Sequence, residues 1–275
     1  MKYIVTQPNT NARLGHQFHN WSLGLVVSKL YGLELIHTPF TGKSSKWEEV
    51  FNFGKNFKSR NGLNKFVNLP KIELGHNPSF NLDVAKKNLE VWGNIINNAE
   101  DETLFVIPYD SFPGFLSENI MEWSPYLKEC YWENKVKYEF DDNHLNIGLH
   151  IRRGDITKEG NKNRWLELST YNDVMDYLRN EYQDKNIKFH IFSEGQEHYF
   201  TELIHDDVEL HLDGSDIEAF RMLSSVDILV TGLSTFSILS AYVSDAPVYY
   251  FPLMNFTRWD SVYNYKNIEY LLEKL

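Results

Sequence analysis

The 275 residues of the chain carry a formal net charge of −11, and 42% of them are hydrophobic and 15% aromatic. This length suits two modest α/β lobes that share a cleft, and the apolar content excludes a largely disordered chain. The negative charge, without a long block of lysine and arginine, excludes a general nucleic-acid-binding protein. An acidic protein can still bind an anion where a few positive groups are concentrated locally.

The single cysteine, Cys130, excludes a disulfide bond within the chain and a cysteine-based zinc site. The apolar run near the N-terminus is closed by Pro8 and is too short for the core of a signal peptide. No stretch reaches the length of a transmembrane helix. We therefore expect a cytoplasmic protein with no transmembrane segment.

The chain opens with a pattern of strand, loop, helix and strand. Residues 3–5 predict a short buried strand, and apolar residues at helical spacing predict a helix over 17–31 that ends at Gly32. Residues 33–37 predict the next strand. A helix that connects two consecutive strands in this way predicts that the strands are parallel.

The remaining part of the first half has a weaker pattern. Residues 40–80 are polar and predict irregular structure with short helices. Residues 91–92 and 104–107 predict strands, and residues 123–136 predict a helix that starts near Ser124-Pro125. The polar residues 141–144 then predict a boundary between two lobes, residues 1–142 and residues 143–275.

Strand and helix alternate throughout residues 145–251. The predicted strands are 145–151, 187–192, 208–212, 226–230 and 247–251, and the predicted helices are 171–182, 196–204, 215–225, 235–243 and, at the end of the chain, 268–275. This alternation predicts a doubly wound parallel sheet, in which ligands bind at the C-terminal ends of the strands.

A basic loop, His150-Ile151-Arg152-Arg153-Gly154-Asp155, follows the first of these strands. The guanidinium group offers a planar fork of donors that matches pairs of phosphate oxygens, and Gly154 permits a sharp turn. Asp155 could orient an arginine or accept a proton. The alternatives are a surface arginine pair bound to neighbouring acids and a chance Arg-Gly-Asp tripeptide, which has no flexible extracellular context here.

Two further loops join a strand to a helix. In Gly232-Leu233-Ser234-Thr235-Phe236-Ser237, backbone N–H groups and hydroxyls at a helix start are suited to phosphate. Arg13-Leu14-Gly15-His16-Gln17 has the same position in the first lobe. The alternative for both is an ordinary turn and helix cap. Together with the basic loop they predict an anionic ligand in a cleft between the lobes.

These segments resemble the superfamily of α-1,2-, α-1,6- and protein O-fucosyltransferases. Residues 150–155 look like its His-x-Arg-Arg-Gly-Asp donor motif, and residues 13–17 resemble its opening Gly-Asn-Gln segment, with His16 in place of asparagine. Residues 192–194 are similar to its Ser/Thr-Asp-Asp strand end, with Glu194 in place of aspartate. Its last donor motif is similar to Met222-Leu223-Ser224, Asp227 and Ser234-Thr235-Phe236-Ser237.

The resemblance implies an α/β fold of two Rossmann-like lobes that face each other across a cleft, the GT-B type of glycosyltransferase. It implies an inverting, metal-independent enzyme that moves fucose from GDP-fucose to a glycan or polysaccharide acceptor, with no cofactor. The alternatives are a transferase with another nucleotide sugar and a non-catalytic nucleotide- or glycan-binding protein. The spacing of the histidines, His144, His190, His205 and His211, indicates no metal site.

By position, the resemblance implies that Arg152 holds the β-phosphate and stabilises the departing GDP. Glu159 or Asp155 would be the catalytic base, with a solvated loop acid beside Lys158 as the alternative for Glu159. Asp216 is the rival of Glu218 among the donor contacts. The implied donor-binding residues are Gly15, His16, Gln17, His150, Arg152, Arg153, Ser193, Glu194, Glu218, Ser234, Thr235, Phe236 and Ser237.

Overall fold

The computed structural model of the protein describes residues 1–59, 66, 68–75, 82–109, 121–252 and 265–272. The chain divides into two compact units, one that runs to Glu133 and one that begins at Asn134. The change of unit therefore precedes the polar residues 141–144, where the sequence predicts the boundary. The acceptor and donor roles of the two units stay a prediction.

The first unit is built on a parallel sheet with the strand order β3-β2-β1-β5-β4. Its strands are β1 (Tyr3–Thr6), β2 (Glu34–His37), β3 (Lys58–Ser59), β4 (Lys71–Glu73) and β5 (Leu104–Ile107). Its helices are α1 (Leu14–Tyr31), α2 (Lys46–Phe51), α3 (Leu82–Asn98) and α4 (Ser124–Trp132), with a 3-10 helix at Gly42–Ser44. The predicted parallel pairing of the first two strands is confirmed, with Tyr3 opposite Glu34.

Local sequence decides where α1 ends. Gly32 has a φ of 63°, and its N–H donates to the carbonyl of Ser28. This left-handed cap favours glycine, so the predicted helix end is confirmed.

The predicted strand at residues 91–92 is wrong, because these residues lie within α3. There Trp92 is buried and its indole donates to the carbonyl of Gly75 at 3.0 Å.

The second unit contains a six-stranded parallel sheet with the order β11-β10-β9-β6-β7-β8. Its strands are β6 (Leu145–His150), β7 (Ile187–Ser193), β8 (Val208–Leu212), β9 (Ile228–Thr231), β10 (Val248–Tyr250) and β11 (Tyr265–Asn267). Its helices are α5 (Leu168–Glu181), α6 (Asp216–Leu223), α7 (Thr235–Val243) and α8 (Ile268–Leu272). The 3-10 helices of this unit are Lys162–Arg164 and Glu197–Leu203, and the second of them replaces the helix predicted at 196–204.

Counted from β6, the order of this sheet is that of the Rossmann fold, and the direction of strand addition reverses between β6 and β9. The central strands β6, β9 and β10 are buried along almost their whole length, as expected where helices cover both faces of a parallel sheet. The predicted doubly wound sheet is therefore confirmed. Residues 273–275 of the predicted last helix lie outside the described residues.

Among the described helices, none combines the length and the apolar character that crossing a bilayer requires.

Candidate functional site

The point at which the second sheet reverses its order brings the predicted ligand-binding segments together. Strands β6 and β9 are direct neighbours there, with Leu149 opposite Val230. The basic loop follows β6, and the turn that begins at Gly232 follows β9. In doubly wound sheets, ligands bind at the carboxyl ends of the strands at this reversal. Two segments that are far apart in the sequence therefore share one edge of one sheet.

Gly232 lets the two segments approach each other closely. A Cβ atom at this position would overlap the backbone carbonyl oxygen of His150 and lie 3.2 Å from the hydroxyl of Tyr171. A backbone carbonyl at the end of a central strand cannot easily move, so a side chain at this position would push the strand ends apart. The glycine is thus required by packing.

Arg152 forms an ion pair with Asp155 through its Nη2 nitrogen. The arginine side chain is 17% exposed, whereas that of Asp155 is 42% exposed. Since the acid belongs to the same loop and is open to solvent, the pair orients the guanidinium at the carboxyl edge of the sheet. This is one of the two roles that the sequence suggests for Asp155. A guanidinium carries five N–H donors, so the pair is compatible with a phosphate contact.

Arg153 has a different environment from its neighbour. Its Nη1 and Nη2 nitrogens donate to the carbonyls of Arg152 and Leu166 at 2.9 and 2.8 Å, and its guanidinium stacks on Trp165 at 3.8 Å. Burial lowers the pKa of this arginine. These contacts fasten the basic loop to the segment before α5. Donor binding by Arg153 stays a prediction.

Arg164 joins the positive cluster, and sequence reasoning misses it. Burial lowers the pKa of Arg164, the charge of Arg152 lowers it further, and Asp155 opposes this change. The charges of Arg152 and Asp155 therefore act on the pKa of Arg164 in opposite directions. Such a cluster attracts a multivalent anion. Arg164 is a single arginine in a polar loop, so the sequence pattern gave no signal of a role beside Arg152.

His150 lines the same edge of the sheet as a neutral ring. Burial of its imidazole lowers the pKa to about 3, and the charge of Arg152 contributes to this shift as the second cause. The ring packs against Phe236 with centroids 5.4 Å apart, and Phe236 in turn contacts Phe220 edge to face at 5.5 Å. The buried Nδ1 atom has no hydrogen-bond partner among the described residues. A buried polar atom of this kind is usually satisfied by a partner, which favours a ligand here.

The hydroxyls at the start of α7 support the turn itself. The Oγ of Ser234 accepts a hydrogen bond from the N–H of Phe236 at 3.3 Å, so the predicted alternative of an N-cap is confirmed for this serine. The hydroxyl of Ser237 is buried and donates to the carbonyl of Ser234 at 3.1 Å. Thr235 and Phe236 are only partly buried at the helix start. Phosphate binding by these residues stays a prediction.

Two predicted residues at the end of β7 reach the basic loop. The hydroxyl of Ser193 donates to the carbonyl of Ile151 at 2.9 Å. Gly154 has a φ of 76°, and a Cβ atom there would overlap the carboxylate of Glu194. The backbone conformation therefore favours glycine at this position, whereas the carboxylate is the flexible end of its side chain. The ends of β6, β7 and β9 thus form one continuous edge.

The other two predicted acids lie on α6 and in the loop after β6. The carboxylate of Glu218, in the first turn of α6, accepts a hydrogen bond from Arg221 at 3.1 Å. Glu159 is an exposed residue of the loop between β6 and α5. Its neighbour Lys158 forms an ion pair with Glu167 at 2.7 Å. The assignments of Glu218 and Glu159 stay predictions.

In the first unit, Gln17 has a structural role. Its Nε2 donates to the carbonyls of Asn9, Ala12 and Thr41 at 2.9, 3.0 and 2.9 Å, and its Oε1 accepts from the N–H of Thr41 at 2.8 Å. The amide therefore fixes the loop that precedes α1. Gly15 is buried, and His16 is exposed. Contacts between residues 15–17 and a donor stay a prediction.

The comparisons with known proteins identify the family and the fold of the chain. The model of glycosyl transferase family 11 matches residues 126–273, which is more than half of the chain. The crystal structure of POFUT1 in its apo form aligns with a TM-score of 0.52 and 14% identity, covering 90% of this chain and 97% of that one. At this identity the likeness shows the fold alone, which is the GT-B type of glycosyltransferase.

Two other solved structures align less well. POFUT1 in complex with GDP-fucose has a TM-score of 0.49 and 13% identity, and the alignment covers 90% of this chain and 98% of that one. The E. coli ADP-heptose lps heptosyltransferase II has a TM-score of 0.42 and 11% identity, with 100% and 97% covered. No curated protein matches the sequence of this chain. By the family match, the chain belongs to glycosyl transferase family 11 and is a glycosyltransferase of the fucosyltransferase superfamily.

Proposed function

We propose that this enzyme is an inverting, metal-independent fucosyltransferase that moves fucose from GDP-fucose to a glycan or polysaccharide acceptor. The observation that carries the proposal is the ion pair of Arg152 and Asp155, which shares the sheet edge with the start of α7. POFUT1, whose apo form has the same fold, has also been crystallised with GDP-fucose, which supports this choice of donor.

In this mechanism, the diphosphate of the donor lies between the basic loop and the first turn of α7. The acceptor hydroxyl attacks the anomeric carbon of fucose from the face opposite GDP. The bond between that carbon and the β-phosphate oxygen breaks, and its electron pair stays on the phosphate. Arg152 stabilises this developing negative charge, aided by the charge of Arg164. Guanidinium groups therefore supply the charge that a divalent cation supplies in other transferases.

The proton of the acceptor hydroxyl requires a base. Asp155 is already bound to Arg152, so we assign it the role of holding that guanidinium in position. Glu159, exposed in the same loop, is our candidate for the base. The neutral ring of His150 and the ring of Phe236 would line the nucleotide, and the carboxylates of Glu194 and Glu218 are candidates for the ribose or the guanine edge.

Replacement of Arg152 by alanine tests the proposal. Because the acceptor is unidentified, the readout is the slow release of GDP from GDP-fucose, together with GDP binding measured by calorimetry. We expect Arg152→Ala to slow GDP release by about 10²–10³-fold, the range for loss of one donor that stabilises a developing oxyanion. Arg152→Lys should recover little, since an ammonium lacks the planar fork.

Lys158→Ala is the matched control, because it removes an exposed cation of the same loop that pairs with Glu167. We expect it to release GDP at the wild-type rate. Circular dichroism and thermal unfolding establish that each variant is folded. If folded Arg152→Ala hydrolyses GDP-fucose as fast as the wild type, Arg152 has no part in the reaction. If the wild type binds GDP but releases none from GDP-fucose, the protein is a binder.

A further inference from the structure

Three side chains on neighbouring strands of the second unit form a cluster outside the candidate donor site. His190 lies on β7, and Glu209 and His211 lie on β8, with His190 opposite Glu209 and Phe192 opposite His211. Nδ1 of His190 is 3.1 Å from Nε2 of His211, and each of these nitrogens is 3.7 Å from an oxygen of Glu209. One nitrogen or oxygen atom from each residue thus lies within 4.8 Å of the others.

Asn146 determines which nitrogen of His190 carries a hydrogen. Its Nδ2 donates to the carbonyls of Asp141 and His144, both at 3.1 Å, which directs its Oδ1 toward Nε2 of His190 at 3.0 Å. Because Oδ1 can only accept, Nε2 must donate. In the neutral ring of His190, the single N–H is then at Nε2. Its Nδ1 therefore presents a lone pair to the cluster.

The surroundings of the cluster hold its rings in place and leave one side open. Phe140 packs against His190 with centroids 4.6 Å apart, and Phe192 stacks on His211 at 4.6 Å. The side chains of His190, His211 and Glu209 are 6%, 22% and 54% exposed. Two oriented imidazoles and a solvent-accessible carboxylate thus converge on one point. A hydrogen bond from the second ring nitrogen to an amide oxygen is the arrangement that orients metal-binding histidines.

We propose that His190, Glu209 and His211 bind a divalent transition-metal ion, with Zn²⁺ as the best fit. With zinc–nitrogen bonds of about 2.0–2.1 Å, the observed separation of 3.1 Å corresponds to an angle of about 100° at the metal, close to tetrahedral. Imidazole ligands favour Zn²⁺, Cu²⁺ or Ni²⁺ over Mg²⁺. Water from the exposed side completes the coordination.

This site is independent of the proposed transfer reaction. Its ligands come from β7 and the edge strand β8, whereas the basic loop and the start of α7 lie at the junction of β6 and β9. The ion stabilises the outer part of the sheet by joining two strands. In its absence, Nε2 of His211 donates a hydrogen bond to Nδ1 of His190, which is the alternative that the experiment must distinguish.

The test uses the full chain without a histidine tag, stripped with EDTA and dialysed. Calorimetric titration with ZnCl₂ should give one ion per chain, and CoCl₂ should produce the visible absorption bands of tetrahedral Co²⁺. His211→Ala and Glu209→Gln should weaken Zn²⁺ binding by at least about tenfold and remove the cobalt bands. Both residues are more exposed than His190, which makes these variants more suitable than His190→Ala.

His205→Ala, which replaces an exposed histidine just before β8, is the matched control and should bind Zn²⁺ like the wild type. MgCl₂ should give no heat above dilution. The proposal is overturned if the wild type binds no Zn²⁺, or if all variants bind it equally. The first result leaves a plain hydrogen bond between the two histidines, and the second indicates scattered surface binding. Neither result depends on transferase activity, so the proposed function stands or fails separately.

Discussion

At the scale of single residues, the burial of His150 couples the candidate site to the stability of the fold. Its imidazole has a pKa of about 3 in the native protein, because it is buried next to Arg152, whereas an unfolded histidine titrates near 6.5. Between these values the unfolded chain binds more protons than the folded one. The free energy of unfolding should therefore fall as the pH drops below about 6.5.

The His150→Gln variant lacks the imidazole whose low native pKa makes the free energy of unfolding depend on pH. Urea unfolding at about pH 7.5 and about pH 5 should show a smaller loss of stability in the variant than in the wild type. The variant should keep part of the pH dependence of stability, since burial also lowers the pKa of His190 to about 4. His198→Gln, which replaces an exposed histidine, should retain the full wild-type dependence. Identical pH dependence in wild type and His150→Gln would mean that the native ring is not held neutral.

The adjacent residues Arg152 and Arg153 show where sequence reasoning ends at this scale. The motif predicts a donor contact for both. The two side chains, however, have different surroundings. One guanidinium accordingly pairs with a solvent-exposed loop acid, and the other stacks on Trp165 and binds two carbonyls. Arg164 was not predicted as a site residue, and the histidine spacing was taken to indicate no metal site, because only the folded chain brings His190, Glu209 and His211 together.

At the scale of elements, the site depends on the close approach of β6 and β9. We expect Gly232→Ala to lower the free energy of unfolding by about 1–3 kcal/mol, since its Cβ would overlap the carbonyl of His150. It should also weaken GDP binding, because it separates the basic loop from the start of α7. Urea unfolding and calorimetry measure the two effects.

Gly214→Ala is the control for this substitution. A Cβ atom at Gly214 meets no atom within 4 Å, and its backbone needs no left-handed conformation. The variant should unfold and bind GDP like the wild type. Equal stability of Gly232→Ala and Gly214→Ala would show that the strand ends can separate at little cost, and the packing argument would be wrong.

The elements that sequence predicted well are those whose apolar period is long and regular. The strands at 145–151 and 187–192 and the helix at 235–243 are confirmed within about two residues. The strand at 91–92 is wrong because β-branched and aromatic residues also occur in amphipathic helices, where burial overrides local propensity. The strands that the sequence did not predict, β3, β4 and β11, have only two or three residues each and show no apolar period.

At the scale of the whole molecule, a net charge of −11 constrains how an anionic donor binds. The overall field repels a nucleotide, so affinity must come from local groups, namely the guanidinium pair and the start of α7. Inorganic anions would use the same charges. A nucleotide gains further contacts only if the base and ribose are bound as well, which separates specific recognition from simple anion binding.

Unfolding measurements with several nucleotides, with EDTA present, distinguish specific nucleotide recognition from simple anion binding. GDP at about 100 times its dissociation constant should stabilise the protein by about 2.7 kcal/mol. At the same concentration, ADP, UDP and pyrophosphate should stabilise it less, because they lack the guanine edge that a carboxylate can bind. Thermal unfolding ranks the four ligands. Equal stabilisation by UDP and GDP would mean that the base is not recognised, and loss of the GDP effect in EDTA would mean that the diphosphate requires a metal ion.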